Sequence, residues 1–316
     1  MTMRRSTKDL FRLQGGWGIR SIYRFLHAYW YLTNIVRYLN VLLKPALFMT
    51  KYFPPMVGRW VLNQILPYYH GKILRTEDAK KIINLNVDLR VEDRIAEKVV
   101  SFETARNIII EHPDHIVVID CACRVFKGEH HCSSEKYGIQ ACMIIGEPMA
   151  SFVLDHSQNN PLKITAEEAL ARIKDFHQRG WVHSMFFKDV FAERSYAICN
   201  CCECCCIGLK LNRETIPALQ YPQLGILSSG YVAKINAEKC TGCPLCQEKC
   251  PFEAHTFTAD EQKVTVISDK CMGCGICVDQ CPLGAISLVR EPRKGVPLDV
   301  DILQAEKNPS RAVSDG

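Results

Sequence analysis

The feature that most constrains this chain is a cysteine spacing that occurs twice towards its C-terminal end. The sequence reads C-x2-C-x2-C-x3-C-P from Cys240 to Pro251 and again from Cys271 to Pro282. This spacing places three thiolates around one cubane iron-sulfur cluster and sends the fourth to a neighbouring cluster. Two successive copies therefore predict two [4Fe-4S] clusters with exchanged fourth ligands. One cluster takes Cys240, Cys243, Cys246 and Cys281, and the other takes Cys271, Cys274, Cys277 and Cys250.

Structural zinc is the alternative for these eight cysteines, because zinc also binds four thiolates. Zinc knuckles usually present two C-x2-C pairs separated by a longer stretch, so iron-sulfur clusters are the favoured interpretation. Over residues 231 to 290 the chain resembles bacterial dicluster ferredoxins. We expect two short helices and two small antiparallel hairpins related by a pseudo-twofold axis. Their β-branched content predicts strands at residues 264–267 and 286–289.

The cysteine content also bears on the compartment and on the class of protein. Eighteen cysteines among 316 residues is far above ordinary usage, and no apolar run or cleavage site typical of a secretory signal is visible. In a reducing compartment such cysteines bind metal more often than they form disulfides. We therefore expect a cytoplasmic metalloprotein, peripheral on the inner membrane face if it contacts a membrane. No glycine-rich phosphate loop is visible, so NAD, flavin and ATP sites are not expected.

Charge and composition divide the chain into four expected regions within an α+β fold. Residues 1–75 contain twelve Lys or Arg and one acid, a net charge of +11, which leaves −6 for the rest. We expect a basic, aromatic helical arm over these residues. A cysteine-rich α+β domain follows over residues 76–225, a dicluster ferredoxin domain over 226–292, and a tail over 293–316 that stays mobile or wraps a partner.

The arm contains a strongly amphipathic helical pattern between Ile22 and Leu43. Apolar residues recur at steps of three and four, whereas Tyr31 and Tyr38 fall on the opposite, polar side. Pro45 is expected to end or kink this helix, and a second helix is expected near residues 56–66. The longest charge-free run spans residues 25–36, too short for a membrane-spanning helix of about 20 residues. The arm therefore either packs on the body or a partner subunit, or lies flat on a membrane surface. Nucleic acid is not an expected partner, because no recognition motif is present.

Short patterns in the middle of the chain predict further elements. Ser101 is a candidate N-cap for a helix through Ile110, followed by a short buried strand at residues 116–119. Residues 67–72 are expected to form a loop with a structural His70. Thr165 and Glu168 form a capping box at the start of a helix that ends near residue 180.

A second group of ten cysteines lies between Cys121 and Cys206, six of them within residues 199–206. Core filling does not explain this density, because Asn200 and Glu203 interrupt it. A single metal or cubane does not explain it either, because each has four protein ligands. Ten cysteines suffice for one or two further sites. Ligand softness favours at least one more iron-sulfur cluster, with zinc and a redox dithiol as the alternatives.

The order C-x-C-R at residue 121, then Cys132, Cys142, G-W-V-H-S at 180 and C-N-C-C-x-C-C-C at 199 resembles a group of poorly characterised bacterial and archaeal iron-sulfur proteins. In these proteins a cysteine-rich module precedes a dicluster ferredoxin. The resemblance covers residues 116–290 and implies electron transfer without naming a substrate. The ligand candidates within it are Cys121, Cys123, Cys132, Cys142, Cys199, Cys201, Cys202 and Cys205. Arg124 is either a counter-charge for a cluster or a surface arginine, and His183 is either a ligand, a proton carrier or a structural histidine.

The function that follows is the relay of single electrons to or from a partner oxidoreductase. No catalytic residue is identified. Two alternatives remain open: a self-contained reductase with an open coordination position in residues 121–206, and a scaffold or binding protein whose metals only hold the fold together.

Overall fold

Runs of Ile and Val form the centre of one large β-sheet in the cysteine-rich region. Residues 116–119 and 143–145 are buried throughout, as is typical of strands covered on both faces. The computed structural model describes residues 3–66, 69–92, 107–188, 191, 194–221, 225–258 and 263–307. The strands of this sheet are β1 (Tyr69–Leu74), β2 (Leu89–Glu92), β3 (Asn107–Ile119), β4 (Cys142–Glu147), β5 (Leu162–Ile164), β6 (Val182–Lys188), β7 (Arg194–Cys201) and β8 (Ile226–Leu227).

The strand order brings distant cysteines side by side. The order is β2-β3-β4-β7-β6-β1-β8, with β5 paired to β3 outside this path. Neighbours along the path are antiparallel except for β1 and β8. Because β4 lies next to β7, Cys142 is opposite Cys199.

Two of the local predictions for residues 67–119 are wrong. Residues 107–110 begin β3 and are not helical, because these isoleucines pack on both faces of the sheet. Pro113 falls between Glu111 and Ile116, where the register of β3 against β4 shifts, and such irregularities tolerate a residue without an N–H group. Ser101 lies outside the described residues.

The second wrong prediction is the loop over residues 67–72, because β1 begins at Tyr69 and pairs with β6. His70 is structural. Its buried Nδ1 donates a hydrogen bond to the carbonyl oxygen of Leu66 at 2.8 Å.

Helices cover both faces of the sheet. They are α6 (Thr76–Ile83), α7 (Ala122–Lys127), α8 (Met149–His156) and α9 (Ala166–Gln178). The capping box of α9 is present, since the Thr165 hydroxyl accepts from the Glu168 N–H and the Glu168 carboxylate accepts from the Thr165 N–H. A further stretch after β7 comprises α10 (Ile207–Lys210), a π-helical segment (Leu211–Thr215) and α11 (Ile216–Ala218).

The N-terminal region is helical and amphipathic, as predicted, but it is broken into several pieces. These are α1 (Arg5–Leu13), α2 (Ile19–Thr33), α3 (Ile35–Tyr38), a π-helical segment (Leu39–Leu43), α4 (Lys44–Tyr52) and α5 (Pro55–Ile65). Pro45 does not end the helical path, because Leu43 and Lys44 keep right-handed helical dihedrals. It lies in the first turn of α4, directly after the change from π-helical to α-helical backbone. The placement of Tyr31 on the polar side is also wrong. Its side chain is buried, and its hydroxyl lies 2.7 Å from that of Tyr196.

These N-terminal helices are integral to the body. Leu10, Ala28 and Tyr31 belong to the main hydrophobic core, and Ser6 donates a hydrogen bond to Asp155. Among the described residues, none of the helices combines the length and apolar character needed to cross a membrane.

The C-terminal unit has the predicted pair of hairpins and short helices. Its elements are β9 (Tyr231–Ile235), α12 (Leu245–Glu248), β10 (His255–Thr258), β11 (Lys263–Val266), α13 (Ile276–Gln280) and β12 (Ile286–Arg290). β9 pairs with β12 and β10 with β11, both antiparallel. The unit docks on the sheet domain through hydrogen bonds from the Ser228 and Ser229 hydroxyls to the carbonyl oxygens of Met272 and Gly273.

The segment after β12 folds back onto the protein. A 3-10 turn (Pro292–Lys294) leads to α14 (Val300–Lys307), and Leu298 and Leu303 are buried in the main core. The Asp299 carboxylate lies 3.0 Å from Arg75 Nη2 and 2.9 Å from Lys81 Nζ. The prediction of a mobile or partner-wrapping tail is therefore wrong for residues 298–303, and residues 308–316 lie outside the described part of the chain.

Candidate metal centres

Each of the two small cavities in the C-terminal unit is lined by four cysteines. One cavity of about 20 Å³ is bordered by Cys240, Cys243, Cys246 and Cys281. The other, of about 10 Å³, is bordered by Cys250, Cys271, Cys274 and Cys277. The sequence assigned these same two groups of four to its two clusters. Each fourth cysteine follows a short helix and borders the cavity lined by the three cysteines of the other half.

Backbone N–H groups point at the sulfurs of these sites. The Ala254 N–H donates to Cys250 Sγ at 3.4 Å, and the Ala285 N–H donates to Cys281 Sγ at 3.3 Å. The two donors occupy equivalent positions in the two halves, four residues after the fourth cysteine of each motif. Hydrogen bonds of this kind stabilise a thiolate and its negatively charged cluster.

Gly273 illustrates how tightly the second site is built. Its φ of +65° and its approach to the Tyr231 carbonyl leave no room for a Cβ atom. Burial raises the pKa of Cys274 to about 12, so this thiol ionises only when a metal supplies positive charge. Four convergent thiols with N–H donors fit a thiolate-ligated cluster.

The ten upstream cysteines separate into two sets. The four-cysteine set is compact: all of its sulfurs lie within 4.8 Å of one another. Cys205 Sγ is 3.8 Å from Cys132 Sγ and 3.4 Å from Cys204 Sγ. Zinc–sulfur bonds of about 2.3 Å in a tetrahedron give sulfur separations of about 3.8 Å, so this set has the dimensions of a single-ion site. Its members are Cys132, Cys202, Cys204 and Cys205.

Among the described residues, no other group of three or more Cys, His, Asp or Glu side chains is this compact. The Cys202 thiol and the Arg124 guanidinium lower the pKa of Cys132 to about 4. Both contacts favour the thiolate form of Cys132, which suits a metal cation.

The six-cysteine set is more open and surrounds one end of a large cavity. Successive side-chain contacts link Cys199, Cys142, Cys121, Cys123, Cys206 and Cys201 in that order. The first and last members lie on the same face of β7, because alternate residues of a strand do. All six side chains therefore border one space, which is the arrangement that a multinuclear cluster needs.

Arg124 lies between the two sets. Its side chain is fully buried and stacks 3.9 Å above the Trp181 ring. Nη2 donates to the Asn200 carbonyl oxygen, while Nε and Nη1 have no hydrogen-bond partner among the described residues. Its charge interacts with Cys121 and Cys132. A buried cation facing thiols fits a negatively charged thiolate–metal centre, and the surface alternative for Arg124 is wrong.

His183 is buried among protein groups and does not border the cysteine cavities. Its Nδ1 lies 2.7 Å from Asn200 Oδ1, and its ring stacks on that of His177. Burial lowers its pKa to about 3, so the imidazole is neutral. These contacts favour the structural interpretation of this residue.

Sequence reasoning omitted Cys204 and Cys206 from the candidate ligands, yet each belongs to one of the two sets. Neighbouring members of the 199–206 run point to different sites. The sequence contains ten cysteines in this region, two more than the eight candidate ligands. That total could have indicated that all ten belong to sites.

Comparison with known proteins supports the C-terminal assignment. The family model of the 4Fe-4S dicluster domain matches residues 233–282. No curated protein matches the chain in sequence. The dicluster domain and the upstream cysteine sets together support an iron-sulfur electron-transfer role.

Proposed function

We propose that this protein relays single electrons between a partner oxidoreductase and the upstream cysteine domain. The observation that carries the proposal is the spatial arrangement of the cysteine groups, in which the second ferredoxin site lies beside the upstream cysteine domain. The Cys250 thiol interacts electrostatically with Glu203, which lies between Cys202 and Cys204 of the four-cysteine set. Phe252 packs against both the ferredoxin core and the main core. When bound, the clusters supply one-electron redox chemistry.

The two ferredoxin sites differ in solvent exposure, which distinguishes an outer end of the proposed relay from an inner end. Cys243 is exposed and Cys240 and Cys281 are half-buried, whereas Cys271, Cys274 and Cys277 are buried. A redox partner can therefore approach the first site, and the second site faces the protein interior. We propose that the partner docks at the Cys243 side.

We further propose different metal centres for the two upstream sets. The six-cysteine set takes an additional iron-sulfur cluster, because its thiols surround a space. The four-cysteine set takes a single tetrahedral ion, iron or zinc, because its sulfurs are too close to bind separate corners of a cubane.

Anaerobic iron, zinc and sulfide analysis with EPR of the reduced protein tests these assignments. Two ferredoxin clusters account for about eight irons. We expect more iron than this, with an EPR signal beyond those of the ferredoxin pair. An iron content of about eight with no further signal would remove the additional cluster. Less iron than that in fully loaded protein would refute the dicluster assignment as well.

The N-terminal helices carry a surface suited to an anionic membrane. Trp17, Tyr52, Phe53, Met56 and Trp60 are exposed on a region with a net charge of +11. Aromatic side chains combined with cations are typical of segments that lie in the headgroup region. We propose that this face rests on the membrane while the opposite face packs on the sheet domain.

Liposome flotation tests this location. Deleting residues 1–75 would also remove β1 from the sheet, so point variants are preferable. We expect Trp17→Ser combined with Trp60→Ser to reduce flotation with anionic vesicles severalfold. Leu162→Ser, at an exposed leucine outside the arm, is the matched control. Equal flotation of all forms would refute membrane contact through this surface.

A further inference from the structure

A large apolar cavity lies between the N-terminal helices and the sheet, with the six-cysteine set at one end. Its volume is about 570 Å³, against about 10 and 20 Å³ for the two ferredoxin cavities. The ferredoxin cavities show how little space four cluster ligands enclose in this protein. The larger cavity therefore has room for more than a metal centre, and its volume falls in the range of sites for small organic molecules.

The walls of this cavity are mainly apolar. Phe186, Ala197 and Ile144 line it from the sheet, and Ile35 and Leu39 line it from the N-terminal helices. A nucleotide or a sugar would leave many polar groups without partners against such walls, at a cost of several kcal/mol. The occupant must therefore be largely apolar.

One wall of the cavity carries hydrogen-bond donors. Tyr31 and Tyr196 are joined through their hydroxyls at 2.7 Å. The Tyr196 hydroxyl also hydrogen-bonds to that of Tyr69, which lines the same cavity. Two of the three hydroxyl hydrogens serve these contacts, so one remains to be donated. Burial raises the pKa of both phenols, which keeps them protonated. The Lys188 ammonium, also a donor, lies 5.0 Å from the centre of the Tyr31 ring.

The cavity reaches the surface at the N-terminal helices. Tyr23 and Leu42 line it and are also substantially exposed. Both belong to the N-terminal region, which also exposes Trp17 and Tyr52. A molecule held at this region has an apolar route inward past Tyr23 and Leu42.

We propose that this cavity binds a lipophilic quinone, with a carbonyl oxygen at the Tyr31–Tyr196 pair and Lys188 and with its apolar ring against the sheet. A quinone is apolar and bears only hydrogen-bond acceptors, which complements a wall that offers donors. The choice of a redox-active ligand rests on the proposed electron-transfer function. The cavity and its donors do not depend on it.

The test measures equilibrium binding, which needs no electron transfer. Duroquinone is the probe, because every ring carbon is substituted and none can add a thiol. It is titrated calorimetrically into anaerobic, oxidised, cluster-loaded protein. We expect saturable binding of one molecule per chain. Tyr196→Phe should weaken it about tenfold, the effect of one lost hydrogen bond, and Ala197→Phe should weaken it at least as much by filling the cavity.

Tyr137→Phe is the matched control, because Tyr137 packs edge-on to Phe176, away from this cavity. It should change the affinity less than twofold. Optical reduction of the ferredoxin clusters is measured on every variant, which shows that each is folded and loaded. Absence of saturable binding to the native protein, or unchanged affinity in a loaded Ala197→Phe variant, would overturn the proposal. If either of these results is obtained while the clusters are reduced normally, the electron-transfer function still stands. If the clusters of the native protein cannot be reduced, the electron-transfer function is refuted and quinone binding is not.

Discussion

Replacing Arg124 by methionine tests whether the buried guanidinium balances the charge of an upstream metal centre. The side chain is fully buried and stacks on Trp181, and its charge interacts with Cys121 of the six-cysteine set. Methionine keeps much of the apolar stem and removes the charge. The remaining thiolates then lose a buried cation that interacts with them. An electron added to the centre becomes harder to accommodate, so the reduction potential should fall.

The size of this effect follows from Coulomb's law. A guanidinium in contact with a cluster ligand stands about 5 to 7 Å from the cluster centre, which at an effective dielectric constant near 20 gives about 2.4 to 3.3 kcal/mol. For a one-electron couple this energy corresponds to about 100 to 140 mV. Arg124→Lys keeps the charge and should recover most of the shift, although it loses the planar stacking on Trp181.

An EPR-monitored redox titration measures the potential, and the ferredoxin clusters are an internal control. Their potentials should move little, because the charge of Arg124 acts mainly on the upstream cysteines. A fully loaded Arg124→Met variant whose upstream potential is unchanged would refute the charge-balance argument. So would equal shifts at all centres, because these would indicate a general structural change.

Three further predictions concern the other metal sites and the C-terminal segment. Cys204→Ser should remove about one metal ion per chain by opening the tetrahedral set; metal analysis checks this, and an unchanged ion content would exclude Cys204 as a ligand. Gly273→Ala should abolish the second ferredoxin cluster, since its Cβ would collide with the Tyr231 carbonyl, whereas Gly284→Ala has open space at a similar φ; equal EPR spectra for both variants would contradict this. Asp299→Asn should lower the free energy of unfolding by about 1.5 to 3 kcal/mol, the value of a hydrogen bond to a charged group, and the exposed Asp301→Asn should change it much less. Burial opposes ionisation of Asp299, but Lys81 and Arg75 lower its pKa below the usual value. Its ionised carboxylate therefore stabilises the folded protein fully above the unfolded-state pKa of about 3.9. This contribution is lost as the pH falls through the folded-state pKa. Urea unfolding at neutral and acidic pH measures this, and a native–Asn difference that grows in acid would contradict it.

The ferredoxin unit could be predicted from sequence because its ligand geometry is local. Three of the four cysteines of each site lie within seven residues, and the two halves repeat one pattern. The upstream domain has no such local rule. Cys142 meets Cys199 only because β4 pairs with β7, and strand order cannot be deduced from spacing. The division of Cys204, Cys205 and Cys206 between two sites depends on the turn after β7.

Two of the wrong local predictions, those for residues 107–110 and for Tyr31, share one physical cause, which is burial on two sides. Residues 107–110 lack the alternation of a half-buried strand because both faces of β3 are covered, so periodicity did not distinguish strand from helix. The helical pattern of α2 defines a single apolar face, and it therefore places Tyr31 on the polar side. That helix in fact packs on the sheet domain and also lines a cavity, so its phenol is buried on a second side.

The cavity between the N-terminal helices and the sheet suggests a role for these helices beyond packing and membrane contact. A ferredoxin-type relay needs an exposed end for its partner, which the Cys243 side supplies. An inner end that stopped at the six-cysteine set would need no cavity and no exposed aromatic face. Helices that line the cavity with Leu39 and expose Trp60 would, with the membrane contact proposed above, connect the six-cysteine set to the bilayer. Electrons would then pass between the proposed partner at the Cys243 side and a lipophilic molecule in the cavity. Quinone binding and flotation should both weaken when Leu42, at the mouth of the cavity, is changed to aspartate.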